Sequence, residues 1–436
     1  MRTGTEMHGW IRDLLLVPRS LTGNGVRATL GYVKEILPDL KVHEIESGLS
    51  VFDWEIPNEW NVKDAYIADS EGRRLVDWKV NPLHLVGYSI PFDEVLTRAE
   101  LEPHLHTNAN LPTAIPYVTS YYSRRWGFCL SQNQRDELGD GPFTVVIKST
   151  LEPGSLTLAD LILPGRSDSE VMFTTYVCHP SMANNELSGP AVLTALADYI
   201  SQLSDRWYTY RFVFAPETIG SLAYMSRNLT HLQGNARAGW VISCVGDERT
   251  YSHVMSRLGP NLADSLLLEI LDEKKVQYTS YPWGDRGSDE RQFSSPGADL
   301  PFSSFCRSKY SEFPEYHTSL DDLDFVTPRG LQESLDVLLE VVTRLEQRPR
   351  YKVHHPGEPN LGKRGLYPTI GTATSSFSTQ TENSGGMLST HDLTTVLSYC
   401  DGDHDAVRIA SRTGLPLIGV EATLDLINDQ GLVERV

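Results

Sequence analysis

The chain has 436 residues, 40% of them hydrophobic and 22% charged, enough for two or three domains with cores of their own. These proportions exclude a disordered chain, a collagen-like chain or a small disulfide scaffold, and no apolar run approaches the roughly 20 residues that span a bilayer. The formal charge of −19 is repelled by phosphate backbones and anionic lipid, which argues against nucleic acid and membrane as partners.

The opening residues, MRTGTEMHGWIRDLL, carry charges and lack an apolar signal core, so no secretory leader is expected. Helical spacing follows in two pieces between 7 and 40, HGWIRDLLLVP and VRATLGYVKEIL, joined by the turn Thr22-Gly23-Asn24-Gly25 and ended by Pro38. From about 43 to 160 the texture becomes short alternating runs such as VFDWEIP, HLVGYSIP and FTVVIKST, cut by Gly, Pro, Asn and Asp. That pattern predicts short antiparallel strands in a separate insertion. Its aromatics, among them Trp54, Trp60, Tyr88, Tyr117, Tyr121 and Trp126, are expected to form the insertion's core or to wall a pocket.

From about 170 the pattern is α/β. The apolar runs 171–178, 210–215 and 239–246 read as buried strands alternating with helices, the first helix opening at Pro190, where a missing N–H costs nothing. Three such units argue for a largely parallel sheet, whose ligands bind at the carboxyl ends of its strands. The polar residues placed there are His179, Glu217 and Asp247, and a later loop adds His317. Neutral imidazole with carboxylates is the donor mix of a catalytic zinc site, often one of two metals.

Helices are expected at 261–274 and 328–347, with Asp321-Asp322 as a helix-start cap. The stretch 351–386, rich in Gly, Pro, Ser and Thr, reads as a linker. The tail, 387–436, has the helix, helix, turn, helix order of a small winged-helix module. Its acidic residues (Asp392, Asp401, Asp403, Asp405, Glu421, Asp425, Asp429, Glu434) outnumber Arg408, Arg412 and Arg435, which points to a protein-packing role. Cys129, Cys178, Cys244, Cys306 and Cys400 are odd in number, widely spaced and without a CxxC pair, as in a reduced, cytoplasmic protein.

The order and context of these residues resemble the co-catalytic zinc aminopeptidases, the superfamily that also holds glutamate carboxypeptidases and glutaminyl cyclases. More closely, the chain is similar to a bacterial group with an aminopeptidase-like domain and a C-terminal winged helix. The matching stretches include TGNGVR (22–27), YYSRRWGFCL (121–130), YVCHPSMANNELSGP (176–190), PETIGS (216–221), CVGDE (244–248), GSDERQF (287–293) and EYHTSLDDLDF (315–325).

The resemblance implies an α/β fold with a zinc-exopeptidase-type mixed, largely parallel sheet flanked by helices. Its catalytic domain would comprise 1–45 and 150–350, interrupted by a β-rich lid at 46–149 and followed by the linker and the winged helix. It implies one or two zinc ions held by His179, Asn185, Glu217, Asp247 and His317. Asn185 stands where the wider family has a bridging Asp, and Pro216 where it has the general base. The base would then come from Glu290, Glu186 or Glu315. Asp289 matches an Asp that orients its neighbours, and Tyr316 and Arg291 are placed to contact substrate. Some relatives lie near polysaccharide or natural-product genes, which implies a dedicated small substrate. The activity expected is hydrolysis of a peptide or aminoacyl amide, with the inserted domain and the tail as surfaces for a homo-oligomer. The alternatives are an altered relative serving as a binding or scaffold protein and a metal-dependent acyl or aminoacyl transferase.

Overall fold

The computed structural model describes residues 1–366 and 389–436. Helix α1 (Gly4–Leu14) opens with a capping box in which Thr3 and Glu6 satisfy each other's backbone N–H. Helix α2 (Asn24–Ile36) starts after Gly23, whose φ of 93° and position 2.2 Å from Trp60 O, measured from a Cβ placed on it, leave no room for a side chain.

The strands that follow are β1 (Lys41–Glu46), β2 (Glu59–Ala68), β3 (Arg74–Asp77), β4 (Phe92–Leu96), β5 (Phe143–Glu152), β6 (Ser155–Leu163), β7 (Glu170–Tyr176), β8 (Thr209–Ala215), β9 (Ala236–Ile242), β10 (Tyr251–Val254), β11 (Tyr278–Tyr281) and β12 (Phe302–Cys306). Interleaved with the later ones are helices α3 (Ser188–Ser201), α4 (Ile219–Asn235), α5 (Leu262–Glu273) and α6 (Pro328–Gln347).

Eight strands form one sheet in the order β1-β6-β8-β7-β9-β12-β10-β11. The centre, β8-β7-β9-β12, is parallel; β1, β6 and the β10–β12 pair add antiparallel edges. Strand β7 is buried along its whole length, as a parallel strand covered on both faces must be. The start of α3 packs onto the sheet through Gly189, where a Cβ would lie 2.3 Å from Thr175 Oγ1.

The insertion builds a second sheet, β3-β2-β5-β4, antiparallel throughout. It does not keep a core to itself. Trp60, Ile67, Val145 and Ile147 belong to the same apolar cluster as Met172, Val213, Val241 and Phe302 of the main sheet. Residues Met1–Val342 accordingly form one compact unit.

Thr343–Val436 form a second unit. Strands β13 (Arg350–Val353), β14 (Asp401–Asp405) and β15 (Val433–Arg435) pair antiparallel in the order β14-β13-β15, with helices α7 (Thr390–Ser398), α8 (Ala406–Thr413) and α9 (Leu417–Asp429). Tyr351, Leu393, Val396, Ile409, Val420 and Leu424 make its core. This is a winged helix. Its first strand corrects the linker expected at 351–386: β13 is the central strand of the wing, too short to carry a recognisable alternation. The remainder of that stretch from 367 lies outside the described residues.

Two further expectations change. The third apolar run leaves the sheet at Ile242, because Cys244 takes a φ of 52° and turns the chain. Helix α3 begins at Ser188, continuing a wider turn at Ala183–Leu187, so Pro190 is its third residue. Among the described residues no helix is long and apolar enough to cross a membrane.

Candidate metal centre

The carboxyl ends of β7 and β8 place His179 and Glu217 side by side, His179 Nε2 lying 3.8 Å from Glu217 Oε2. His317 arrives from the loop between β12 and α6. A bridge from Pro116 to Thr318 pins that loop to the insertion, and Tyr117 N–H donates to His317 O at 2.8 Å. The two imidazole centres are 5.3 Å apart. The Tyr117 ring stands edge-on to both, at 5.2 and 5.1 Å, and Tyr316 stacks on His317 at 3.9 Å. Ser181, Thr218, Cys244 and His317 all adopt positive φ, a strained conformation for residues with a side chain that concentrates at functional sites.

Each donor is held by a second group. His179 Nδ1 pairs with Glu186 Oε2 at 2.9 Å, which leaves Nε2 for another partner. Glu186 also accepts Cys178 N–H at 2.6 Å and lies 3.4 Å from the buried Arg19, which donates to His179 O. Glu217 Oε1 accepts from Ser288 Oγ at 2.9 Å. Asn185 donates through Nδ2 to Tyr176 OH at 2.7 Å. Asn185 Oδ1 and His317 Nε2 are buried with no hydrogen-bond partner among the described residues.

Burial dominates the electrostatics. It pushes the His317 pKa down to about 3, aided by the neighbouring His179, so His317 is a neutral imidazole at pH 7. Burial also opposes charge on His179, but the Glu186 carboxylate outweighs it and raises that pKa. Glu217 is raised by desolvation, with His179 and Ser288 acting against the shift. The Asp289 carboxyl rises to about 8, first from burial and then from the charge of Glu217, while the hydrogen bond from Thr218 N–H works the other way; its Oδ2 is buried with no hydrogen-bond partner among the described residues.

The structure does not bring every expected residue to this point. Asp247 lies beyond the end of β9, and each of its oxygens accepts two hydrogen bonds: Oδ1 from Arg249 N–H and Ser308 Oγ, Oδ2 from Asn184 Nδ2 and Ser308 N–H. No lone pair remains for an ion. The group that faces Asn185 from that strand end is Cys244, with Sγ 3.6 Å from Asn185 Nδ2.

Glu290 is fully buried and closes its own loop, accepting from Gly287 N–H, Ser288 N–H, Tyr310 OH and Ser304 Oγ. Glu186 is consumed by His179, Cys178 and Arg19. Glu315 is paired with Arg249 at 2.7 Å. None of the three is a free base. Asp289 accepts Thr218 N–H at 2.7 Å and so positions the turn that carries Glu217. Arg291 is exposed and donates to Thr218 Oγ1. Among the described residues, one group of three His, Cys, Asp or Glu side chains brings its ligand atoms within 4.8 Å of one another: Cys178, His179 and Glu186. The set His179, Glu217 and His317 is wider than that.

Residues that the sequence reading did not assign to the metal complete the site. Asp321 is not a helix cap. Its carboxylate accepts Asn185 N–H at 2.8 Å and Asn184 N–H, holding the turn that follows β7. Arg19 neutralises Glu186 from beneath, and its only sequence signal was an arginine flanked by Pro18 and Ser20. Tyr117 and Tyr121, whose hydroxyls are 2.6 Å apart, come from the insertion to the imidazoles.

The mixed, largely parallel sheet flanked by helices has the fold of the zinc aminopeptidases. The Bacillus subtilis zinc aminopeptidase superposes with a TM-score of 0.56 at 13% identity, over 79% of this chain and 95% of that one. A Shewanella amazonensis M28 peptidase precursor gives 0.52 at 13% identity, over 81% and 95%. The chain itself belongs to the family described as domain of unknown function DUF4910, whose model matches residues 8–348, and a winged helix-turn-helix model matches 349–435.

A Clostridium acetobutylicum protein, named for a proposed role in polysaccharide biosynthesis and for an aminopeptidase-like domain, is 41% identical over 441 residues, 100% of this chain and 97% of the relative. The crystal structure of a proposed peptidase from Clostridium acetobutylicum has a TM-score of 0.80 at 39% identity, covering 99% of this chain and 96% of that one.

Proposed function

We propose that this chain is a zinc-dependent hydrolase of the aminopeptidase type, cleaving an amide or peptide bond beside a free amine in a small biosynthetic substrate. The observation that carries this reading is the pair of imidazoles flanking Glu217, with His317 Nε2 and Asn185 Oδ1 buried and unpartnered beside them. Buried polar atoms are nearly always paired, so two orphans in one cluster call for a ligand. Two imidazoles and a carboxylate suit zinc better than magnesium, which prefers oxygen donors alone. The relative named for polysaccharide biosynthesis supports a dedicated substrate over general protein turnover.

When bound, zinc supplies an acidified water and polarises a carbonyl. The chain's own residues orient and enclose. Glu186 fixes the His179 tautomer, and Ser288 fixes the Glu217 rotamer. The Tyr117 ring fills the space beside both imidazoles and keeps bulk water from them. The Glu217 carboxylate favours an ammonium group on the substrate. Asp289, with its carboxyl near 8, can hold a proton at neutral pH.

A second reading, a binding or scaffold protein of the same fold, is favoured by Pro216 at the usual base position and by the full commitment of Glu186 and Glu290. Turnover of aminoacyl amides by zinc-loaded wild type, abolished in His179→Ala, is the outcome expected of the hydrolase. Zinc bound without turnover of any amide in the panel would move the binding protein to the front.

A further inference from the structure

The outer edge of the main sheet holds a second cluster of reactive side chains. Strand β11 is the last of the eight and pairs only with β10, where Ser280 stands opposite His253. His253 Nδ1 lies 2.9 Å from Ser280 Oγ, and His253 Nε2 lies 2.8 Å from Asp264 Oδ1, in the first turn of α5. His253 and Asp264 are fully buried, whereas Ser280 is exposed. We propose that Ser280 is a nucleophile, with His253 as its base and Asp264 orienting that base, and that this edge hydrolyses small esters independently of the metal centre.

The direction of the hydrogen bonds follows from Asp264. Its oxygens accept the N–H groups of Ser256 and Asn261, each at 3.0 Å, and the Ser256 hydroxyl. A carboxylate used in this way only accepts, so His253 Nε2 carries the ring proton and donates it. Nδ1 then keeps a lone pair, and the group it faces is the Ser280 hydroxyl. In this arrangement an imidazole takes the serine proton as the oxygen attacks. A histidine serving the core alone would find both partners inside it. Here one ring nitrogen is turned to a hydroxyl that solvent reaches.

The edge position adds a donor for the charge that develops. Tyr251 N–H donates to Gln277 O, and Met255 N–H donates to Tyr281 O. In a parallel ladder this alternation turns the N–H groups of Thr279 and Tyr281 toward β10, and those of Tyr278 and Ser280 outward. The Ser280 N–H can therefore donate to the oxygen of a carbonyl attacked by its own side chain. Tyr278 shares the face of Ser280, two positions earlier, and its hydroxyl is held by Asp272 at 2.8 Å. Its half-buried ring is a flat apolar wall beside the serine. An exposed serine beside one ring suits a short, uncharged acyl group on a good leaving group, as in an aryl ester.

In the reaction, Ser280 Oγ bonds to the acyl carbon and its proton passes to His253 Nδ1. The bond from the acyl carbon to the leaving oxygen breaks, and the imidazolium returns the proton to that oxygen. Water, deprotonated by the same nitrogen, then cleaves the acyl-serine and restores the hydroxyl.

The test is labelling of the full-length protein, dialysed against chelator, with a fluorophosphonate. The probe reports the first half of the reaction: the Oγ–P bond forms, fluoride leaves and the proton goes to His253. Peptide mass spectrometry reads the adduct at Ser280 and at Ser201, an exposed serine whose hydroxyl donates to a backbone carbonyl. Labelling at Ser280 is expected to run about a hundredfold or more ahead of Ser201, and to fall by a similar factor in His253→Gln. Hydrolysis of p-nitrophenyl acetate in chelator should be lost in Ser280→Ala. No adduct at Ser280, or equal labelling of the two serines, would overturn the proposal. A His253→Gln variant that is folded by circular dichroism and labelled as fast as wild type would overturn the role of the base. The two serines of the wild type decide even if His253→Gln does not fold.

Discussion

The two ends of strand β7 carry buried charged clusters of opposite character. At its amino end, Glu170 accepts a two-pronged ion pair from Arg211 at 2.8 Å and a further bond from His231. Arg211 also donates to Tyr224 OH, which donates to Asp160, and Asp160 accepts from His43. No atom of Glu170, Arg211, Tyr224 or Asp160 is left unpaired among the described residues. Just past the carboxyl end, His179 leads a cluster in which Asn185 Oδ1 and His317 Nε2 have nothing to bond. Both clusters are buried, and both mix His, Glu and aromatic hydroxyls. The difference lies in saturation: the first satisfies itself and holds strands to a helix, and the second leaves buried polar atoms unpaired among the described residues.

The largest effect is expected where the saturated cluster is broken. Arg211→Met should destabilise the chain by about 3–5 kcal/mol, because Glu170 and Asp160 lose their buried counter-charge. The drop in urea midpoint should come with unchanged zinc content. If zinc were lost while stability held, the assignment of the two ends would be reversed.

Ser288→Ala should act the other way. It frees Glu217 Oε1 and should weaken zinc binding by about tenfold or more in a chelator competition. Its effect on stability should stay near about 1 kcal/mol.

A third cluster, saturated but partly exposed, sharpens the comparison. Arg27 joins α2 to Glu44 of β1 and Glu59 of β2, and the Arg27 hydrogen bonds hold the Glu59 carboxyl at about 2. A carboxyl depressed in the folded state contributes stability above its ordinary value near 4.5, and that contribution fades as pH falls toward 2. Arg27→Met should therefore lower stability at pH 7 by about 1–2 kcal/mol after solvent screening, seen as a lower melting temperature, and the gap to wild type should close near pH 2. A gap that persists at pH 2 would mean that Arg27 acts by packing alone. The smallest effect is expected for His231→Ala. That side chain is 51% exposed at the rim of the saturated cluster, so the loss should stay below about 1 kcal/mol in thermal melts.

Much of the main sheet was legible because its signal is local. Seven buried residues in a row at β7 can only be a strand covered on both faces, and the turn residues after it mark a ligand-binding edge. That reading put His179 and Glu217 at one edge of the sheet, where the structure has them side by side with His317 next to His179. Asp247 was misplaced because the apolar run continues to Val245 and Gly246 while the ladder ends at Ile242, a bend that depends on Cys244 bonding across to Arg307. Glu290 resembled a pocket carboxylate because nothing in GSDERQF reveals that Tyr310 and Ser304, far along the chain, will consume its oxygens. The wing strand β13 escaped notice because four residues, with partners fifty and eighty positions away, leave no periodicity to read.

By itself the sequence determined which segments become strands and helices and which residue types meet at the sheet's working edge, since period, caps and turn chemistry act over a few residues. Only the tertiary structure decided which of those carboxylates keep a free lone pair. Saturation is a property of distant neighbours: Glu186 and Asp247 differ from Glu217 in their partners, and those partners come from α1's far end, the β12 loop and the 288 turn. The same holds for Tyr117, which a loop of the insertion carries to histidines more than sixty residues downstream.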